Sequence, residues 1–320
     1  MRPWNDYKAY LTSRFGEPVY RIGVDAGFSC PNRENRRGGC SFCDGMGALA
    51  SYQRTSESLF HSGCAFERCL EQAQVESLET QVRRGKEYLV RRFNARLFAM
   101  YLQAFTNTYA PLPRLREIYD KCLELDDFTM FIVSTRPDCI DAPIAELLGE
   151  YGQRLETWVE LGLQSGSDRI LGLMNRGHGT EAFEKACKAL DGQGLNLSCH
   201  VVLGYPTESR DEMLETARLV NQSPVKAVKI HNLNVCSGTS LYDQYMQGEI
   251  SVASRKRHIM TCALFLQRLR KDIVIERLMC ETPSQRLAAP RNFGDKAAFL
   301  RELEAYMNGN GMAQGDLCLM

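Results

Sequence analysis

Alternating apolar runs and amphipathic helical stripes predict an α/β protein, a full or partial TIM-like barrel if its sheet closes and a doubly wound sheet if it stays open. Three observations carry that expectation. Six short apolar runs are each followed by a helical stretch, a pattern that implies parallel strands joined by right-handed crossovers. Polar residues gather just behind each run, and in barrels the C-terminal strand ends carry the chemistry. Three cysteines, Cys30, Cys40 and Cys43, share one loop directly behind the first run.

In order along the chain, residues 1–16 read as a short helical lead-in built on Trp4, Tyr7 and Leu11 and ended by Gly16. Val19, Ile22 and Val24 are spaced as the first strand. Residues 65–92 read as one long helix rich in Glu, Gln and Arg. Leu97 to Leu102 is a buried strand, and Pro113 stands at the start of a helix whose stripe is Leu115, Ile118, Tyr119, Cys122 and Leu123. Met130 to Val133 is the third strand, and Asp141 caps the helix behind it. Trp158 to Leu163 is the fourth, followed by a helix near 168–174, a break at Asn175–Gly179, and a helix capped by Thr180. Leu197 to Leu203 is the fifth, and Ser209 with Glu212 forms a capping box behind it. Val225 to Ile230 is the sixth, completed by a long connection after His231 and a helix near 254–270. Residues 271–320 add an apolar run, Ile273 to Met279, and a helix near 296–307, read as a C-terminal appendage.

The 320 residues carry 39 Lys+Arg and 39 Asp+Glu, so no global charge argues for nucleic acid or an anionic membrane. Residues 1–16 are mostly polar and no long apolar run exists, which argues against export and membrane spanning and for a cytoplasmic protein. In a reducing compartment the 13 cysteines stay as thiols or bind metal.

The cysteine loop narrows the chemistry. Its thiols stand nine residues apart and then two. Cys40 and Cys43 can point at one centre, and Cys30 reaches it across Pro31, Gly38 and Gly39. Three close thiolates repel unless a cation joins them. Structural zinc wants four closed protein ligands, whereas a four-iron cluster is held by cysteine thiolates and three suffice when one iron stays open. No fourth Cys or His lies within a few residues of Cys43, which favours the cluster. Three unrelated buried cysteines is the plainer alternative.

The three-cysteine loop behind a first strand, with six βα units, resembles the radical S-adenosylmethionine superfamily. The spacing departs from that superfamily's common three-then-two pattern. Longer first gaps occur in branches related to the catalytic subunit of Elongator. Glu160 to Ser165, Asn175 to His178 and Lys229 to Tyr242 resemble that neighbourhood. Phe15 to Val19, Cys30 to Arg33, Gly38 to Cys40, Gln103 to Pro111 and Thr135 to Cys139 resemble the YhcC/YtqA-like family. The resemblance covers residues 14–245 and, more weakly, the tail, and implies a partial (βα)6 TIM-like barrel over 18–245, with an N-terminal lead-in at 1–17 and a C-terminal extension at 246–320. It implies that Cys30, Cys40 and Cys43 hold a [4Fe-4S] cluster whose open iron binds S-adenosylmethionine. The reduced cluster then cleaves the cofactor to a 5′-deoxyadenosyl radical that abstracts hydrogen from substrate. A reductant such as flavodoxin or ferredoxin is implied as partner.

Further cofactor contacts follow from the same resemblance: Phe42 near the adenine, Thr106 and Asn107 at the amino end, Glu160 and Gln164 on the ribose, Arg176 on the carboxylate, and His231 facing substrate or adenine. Glu160 inside an apolar strand also demands a partner on physical grounds, and Lys229 alternates with Val228 and Ile230 so as to point inward. Cys64 and Cys69 are candidates for a second metal, set against plain helix packing, and Cys236 and Cys280 for redox activity. Relatives point to tRNA, especially wobble-uridine side chains, as substrate. The basic clusters Arg83-Arg84-Gly85-Lys86, Arg91-Arg92 and Arg255 to His258 support that, set against a solvated helix face. Radical chemistry on a small metabolite or peptide is the competing enzymatic expectation, and a zinc-binding interaction module the non-enzymatic one.

Overall fold

A computed structural model describes residues 2–34, 38–43, 50–53 and 76–318. After helix α1 (Tyr7–Phe15) come β1 (Val19–Val24), α2 (Leu78–Phe93), β2 (Leu97–Leu102), α3 (Leu112–Glu124), β3 (Met130–Thr135), α4 (Ala142–Gly152), β4 (Glu156–Gln164), α5 (Asp168–Leu173), α6 (Thr180–Leu190), β5 (Asn196–Leu203), α7 (Arg210–Gln222) and β6 (Ala227–Asn232). The chain continues through β7 (Val235–Cys236), α8 (Ser240–Met246), α9 (Arg255–Arg268), β8 (Val274–Arg277), β9 (Leu287–Ala289) and α10 (Lys296–Gly309).

Seven strands lie in one parallel sheet, in the order β1-β2-β3-β4-β5-β6-β8, and β7 pairs with β9 in a separate antiparallel ribbon. The sheet curls into a half-barrel, open because β1 and β8 are its two edges and do not pair with each other among the described residues. Both faces are buried, which is why the strands read as near-continuous apolar runs. Outward residues such as Ile22, Met100, Phe131, Leu161, Val201 and Ile230 pack under the helices. Each such side chain withdrawn from water contributes about 1.5–3 kcal/mol.

Inward residues at the N-terminal end of the strands, among them Val19, Ala99, Met130, Trp158, Ala227 and Val274, form a second cluster against α1. Tyr7 and Tyr10 meet the Trp158 ring edge-on, with centroids 6.5 and 6.0 Å away. The peptide N–H of Ile275 donates to the Asn5 carbonyl at 2.8 Å, so the lead-in also runs along the exposed edge of β8. The lead-in is the floor of the half-barrel.

Two elements differ from the sequence expectation. The run expected in a C-terminal appendage supplies β8, a seventh strand paired to β6. Thr180 is the first residue of α6 and not its cap; Gly179 holds the cap position, and Asp168 Oδ1 accepts the Thr180 peptide N–H at 2.7 Å. Asp141 and the Ser209–Glu212 capping box sit as expected. The long helix expected over 65–92 starts instead at Leu78, because the Ser77 side chain caps α2 by accepting the Thr80 N–H; residues 65–75, with Cys69, and the neighbouring Cys64 lie outside the described residues.

Candidate active site

Two charged assemblies are stacked inside the half-barrel. The deeper one fills the lumen above Trp158. Glu160, fully buried on β4, forms an ion pair with Lys229 of β6. It accepts the Tyr101 hydroxyl at 2.6 Å, faces His200 Nε2 at 3.0 Å and meets Arg21 at 3.2 Å. Arg21 is also paired with Glu276 of β8. Burial works to raise the Glu160 carboxyl, but Lys229 and Arg21 outweigh it and hold the group well below its ordinary range. Burial, with Arg21 adding to it, pushes the Lys229 ammonium down to about 8.

His231 lies within β6 and not after it. Its ring stacks on His200 with centroids 5.3 Å apart, and its Nε2 is buried without a hydrogen-bond partner among the described residues. Burial pushes both imidazoles below their ordinary value.

The second assembly is the cysteine loop at the C-terminal mouth. Its backbone is clasped by the segment following α5. The Ser41 N–H donates to the Met174 carbonyl at 2.8 Å, Asn175 Nδ2 to the Gly39 carbonyl at 2.7 Å, and Asn32 Nδ2 to the Asn175 carbonyl at 2.6 Å. This clasp explains Asn175-Arg176-Gly177: a Cβ on Gly177 (φ 77°) would stand 2.5 Å from Asn32 Oδ1. The Cys40–Cys43 turn closes with the Cys43 N–H donating to the Cys40 carbonyl at 2.9 Å.

Donors aim at the sulfurs. Arg33 Nη2 lies 2.9 Å from Cys43 Sγ, Arg176 Nη1 3.4 Å from Cys40 Sγ, and Asn32 Nδ2 3.5 Å from Cys40 Sγ. Burial works to raise the Cys40 thiol, but the adjoining Arg176, with Arg136 and Asn32, holds it below its ordinary value. Arg176 is 7% exposed and rests its other terminal nitrogen on the Gly162 carbonyl at 2.9 Å. A Cβ at Gly162 would stand 2.6 Å from that nitrogen.

Three functional candidates escaped the sequence analysis. Arg136, 3% exposed, binds Asp138 through two nitrogens at 2.8 Å and donates to the Arg176 carbonyl, while its Nη1 is buried without a partner among the described residues. Arg33 lies over the Phe105 ring, 4.8 Å from its centroid. Phe105 itself has φ 58°, a genuine outlier for a bulky residue and a form of strain that concentrates at functional sites. Their local sequence signal is thin: an arginine inside the loop, an arginine between a strand and a proline, and a phenylalanine just behind β2.

The other singled-out residues are distributed as follows. Thr106 is buried and its N–H donates to the Ser29 carbonyl, tying β2 to the loop. Asn107 gives both amide hydrogens to the carbonyls of Leu102 and Ser134, and its Oδ1 is buried with no partner among the described residues. Gln164 ends β4 at φ 73°, beside the register shift against β5. Phe42 packs on a satellite cluster that holds Ile170, Tyr205, Leu233 and Leu241. Cys236 is buried on β7, and Cys280 follows β8 with its N–H on Asn232 Oδ1 at 2.8 Å.

Among the described residues no three His, Cys, Asp or Glu stand close enough to hold a single metal ion. Structural zinc takes four closed protein ligands, and the described part of the loop offers three cysteines. A polynuclear cluster spreads its cysteine sulfurs wider. The donor set fits such a group: three thiols in one loop, sulfur-directed guanidiniums, and an orphaned buried nitrogen on Arg136.

This half-barrel with its cysteine loop matches the family model of the radical SAM superfamily over residues 29–220 and that of the radical SAM C-terminal domain over 225–309. The chain belongs to the radical SAM superfamily; it is a radical SAM enzyme, with a [4Fe-4S] cluster and S-adenosylmethionine as cofactors. Protein YtqA of Bacillus subtilis is 30% identical over 308 residues, 96% of this chain and 90% of that protein. The tRNA uridine(34) acetyltransferase of Methanocaldococcus infernus is 32% identical over 154 residues, 44% of this chain and 28% of that one. The structure of archaeal Methanocaldococcus infernus Elp3 with its N-terminus deleted superposes with a TM-score of 0.68 at 18% identity, covering 92% of this chain and 64% of that chain. Among the described residues no helix is long and apolar enough to cross a membrane.

Proposed function

We propose that Cys30, Cys40 and Cys43 hold the cluster, and that the enzyme acts on a nucleoside of RNA, the wobble uridine of tRNA being the first candidate. The observation that carries the first part is the ring of donors aimed at Cys40 and Cys43. Hydrogen bonds to cluster sulfurs and charge beside them tune an iron–sulfur centre. Held by Cys30, Cys40 and Cys43, the cluster would supply the electron for reductive cleavage of the sulfonium cofactor, and so the means of abstracting hydrogen from substrate.

The chain's own residues hold and shield that centre. Arg176 and Arg136 supply positive charge above the thiols. The orphaned atoms Arg136 Nη1 and Asn107 Oδ1, with Gln164 at the end of β4, are the groups we assign to the cofactor's polar ends. We withdraw Glu160 from the ribose, because its carboxylate is already engaged by Lys229, Arg21, Tyr101 and His200. Phe42 closes the apolar side of the loop.

The RNA part is supported by the acetyltransferase whose name specifies tRNA uridine. Part of the basic surface does not support it: Arg84 is paired with Glu76 and Lys86 with Asp126. Purified without oxygen, the protein should be brown with about four irons per chain. It should release 5′-deoxyadenosine with dithionite and S-adenosylmethionine, and Cys40→Ala should abolish that. Mass spectrometry of tRNA nucleosides from cells with and without the protein tests the substrate. An unchanged nucleoside profile sends the search to small metabolites and peptides.

A further inference from the structure

We propose that a cleft beside the cysteine loop is a subsite for an unpaired nucleotide of the RNA substrate, an inference that rests on the RNA reading above. The cleft has a volume of about 620 Å³ and opens between α8, the start of α9 and the β9 turn. That is within the usual range of small-ligand clefts, about 300–1,000 Å³. Its walls include Tyr242, Tyr245 and Met246 on one side and Ser254, Arg291 and Asn292 on the other.

The cleft is built onto the reaction centre. The Leu241 N–H donates to the Ser41 carbonyl at 3.0 Å, so α8 starts on the cysteine loop itself. Tyr242, Tyr245, Val252 and Ala288 pack against the same apolar cluster that Phe42 joins from between the two cysteines. A nucleotide held here is a neighbour of whatever group reaches the mouth of the half-barrel.

Its chemistry matches an unstacked base and its phosphate. Tyr242 and Tyr245 stand three residues apart on α8 and therefore share a face. Both are half-buried, and neither ring stacks on another aromatic side chain nor does either hydroxyl make a hydrogen bond among the described residues. Single-stranded RNA is bound by stacking bases on such rings and tracking the backbone with cations. Among the described residues Arg291 is the one charged member of the lining, and it is exposed. Lys256 and Arg257 add two exposed cations on the first turn of α9 with no ion pair among the described residues, whereas Arg255 is spent on Glu302. Among the described residues no carboxylate lines the cleft.

The test is fluorescence anisotropy of a labelled single-stranded oligouridylate on the anaerobically prepared holoenzyme at low salt. Tyr245→Ala should weaken binding roughly 5- to 150-fold, the range of one lost base stack, and Tyr245→Phe should stay near wild type. Arg291→Glu, at an exposed position whose printed hydrogen bond is Nε to the Ala288 carbonyl at 3.2 Å, should weaken binding and flatten its salt dependence. Release of 5′-deoxyadenosine without added RNA should be unchanged in all three. Wild-type binding with Tyr245→Ala and Arg291→Glu equally tight overturns the subsite and leaves the RNA reading standing. Failure of the wild type to bind oligouridylate or tRNA at any salt overturns both. Capture of a peptide at these residues in place of oligouridylate also overturns the subsite.

Discussion

The lumen of the half-barrel and the cysteine loop at its mouth both bury arginine, yet they balance its charge in opposite ways. In the lumen two cations, Arg21 and Lys229, meet two carboxylates, Glu160 and Glu276. At the mouth two buried guanidiniums, Arg136 and Arg176, have one close carboxylate among the described residues, Asp138, which Arg136 binds, and they turn other nitrogens toward sulfur, toward backbone carbonyls or toward no partner among the described residues. Isolated buried charge is costly, so a balanced set is a scaffold complete in itself, while a surplus of positive charge is completed by an anionic group. On the proposed ligation, three thiolates and a cluster would supply that anion.

The comparison breaks most directly at Glu160. Glu160→Gln keeps the shape but leaves Lys229 and Arg21 undercompensated, and we expect a loss of roughly 3–5 kcal/mol of stability. Urea unfolding measures it. The double variant Glu160→Gln, Lys229→Met should recover most of the loss, because removing both partners is often nearly neutral. A single variant within about 1 kcal/mol of wild type would show that the lumen is not a closed charge set.

The same step at the mouth should act on the bound group more than on the fold. Arg176→Ala removes a donor from Cys40 and should lower iron retention by roughly 10- to 100-fold, the usual effect of losing a supporting contact to a metal site. A chelator challenge followed by iron counting reads it. Unchanged iron retention together with a collapse in stability would make Arg176 scaffold and erase the contrast.

The sequence made the six principal strands legible because both faces of a parallel sheet are apolar, and each strand is a run that needs no partner to be recognised. The seventh was harder: β8 is four residues, and two of them, Glu276 and Arg277, are charged, so its membership shows only once β6 lies beside it. Glu160 was visible as a charge needing a partner, but Arg21, Tyr101, His200 and Lys229 come from four other strands, and no spacing links them. Cys30, Cys40 and Cys43 stood out as a motif. Arg33 and Arg136 did not, because an arginine written in sequence carries no mark of whether it is solvated or buried over a thiol.

Gly162→Ala sharpens the contrast with a smaller change. The added methyl meets Arg176 Nη2 at 2.6 Å and Gln164 Nε2 at 2.9 Å, both far ends of flexible side chains. We expect about 1 kcal/mol of destabilisation, at the low end for overpacking, and an iron loss in the same direction as Arg176→Ala but weaker. If iron retention falls as far as in Arg176→Ala, the guanidinium's position matters as much as its charge; if it does not fall at all, Arg176 reaches Cys40 without resting on β4.

The smallest effect is a pH dependence of the lumen. Lys229 titrates near 8 when folded and near 10.5 when unfolded, so the folded state binds this proton less tightly. Below about pH 8 the protonated lysine costs stability, and that cost is released as pH rises from about 8 to 10.5. Over that window the wild type should gain stability relative to Lys229→Met, with a slope of at most one proton. The sign is the informative part: a lysine whose partners fully repaid its burial would titrate above 10.5 and lose stability over higher pH instead. Paired urea titrations of the two proteins decide it, and parallel pH profiles would mean that Glu160 and Glu276 already repay the burial of Lys229.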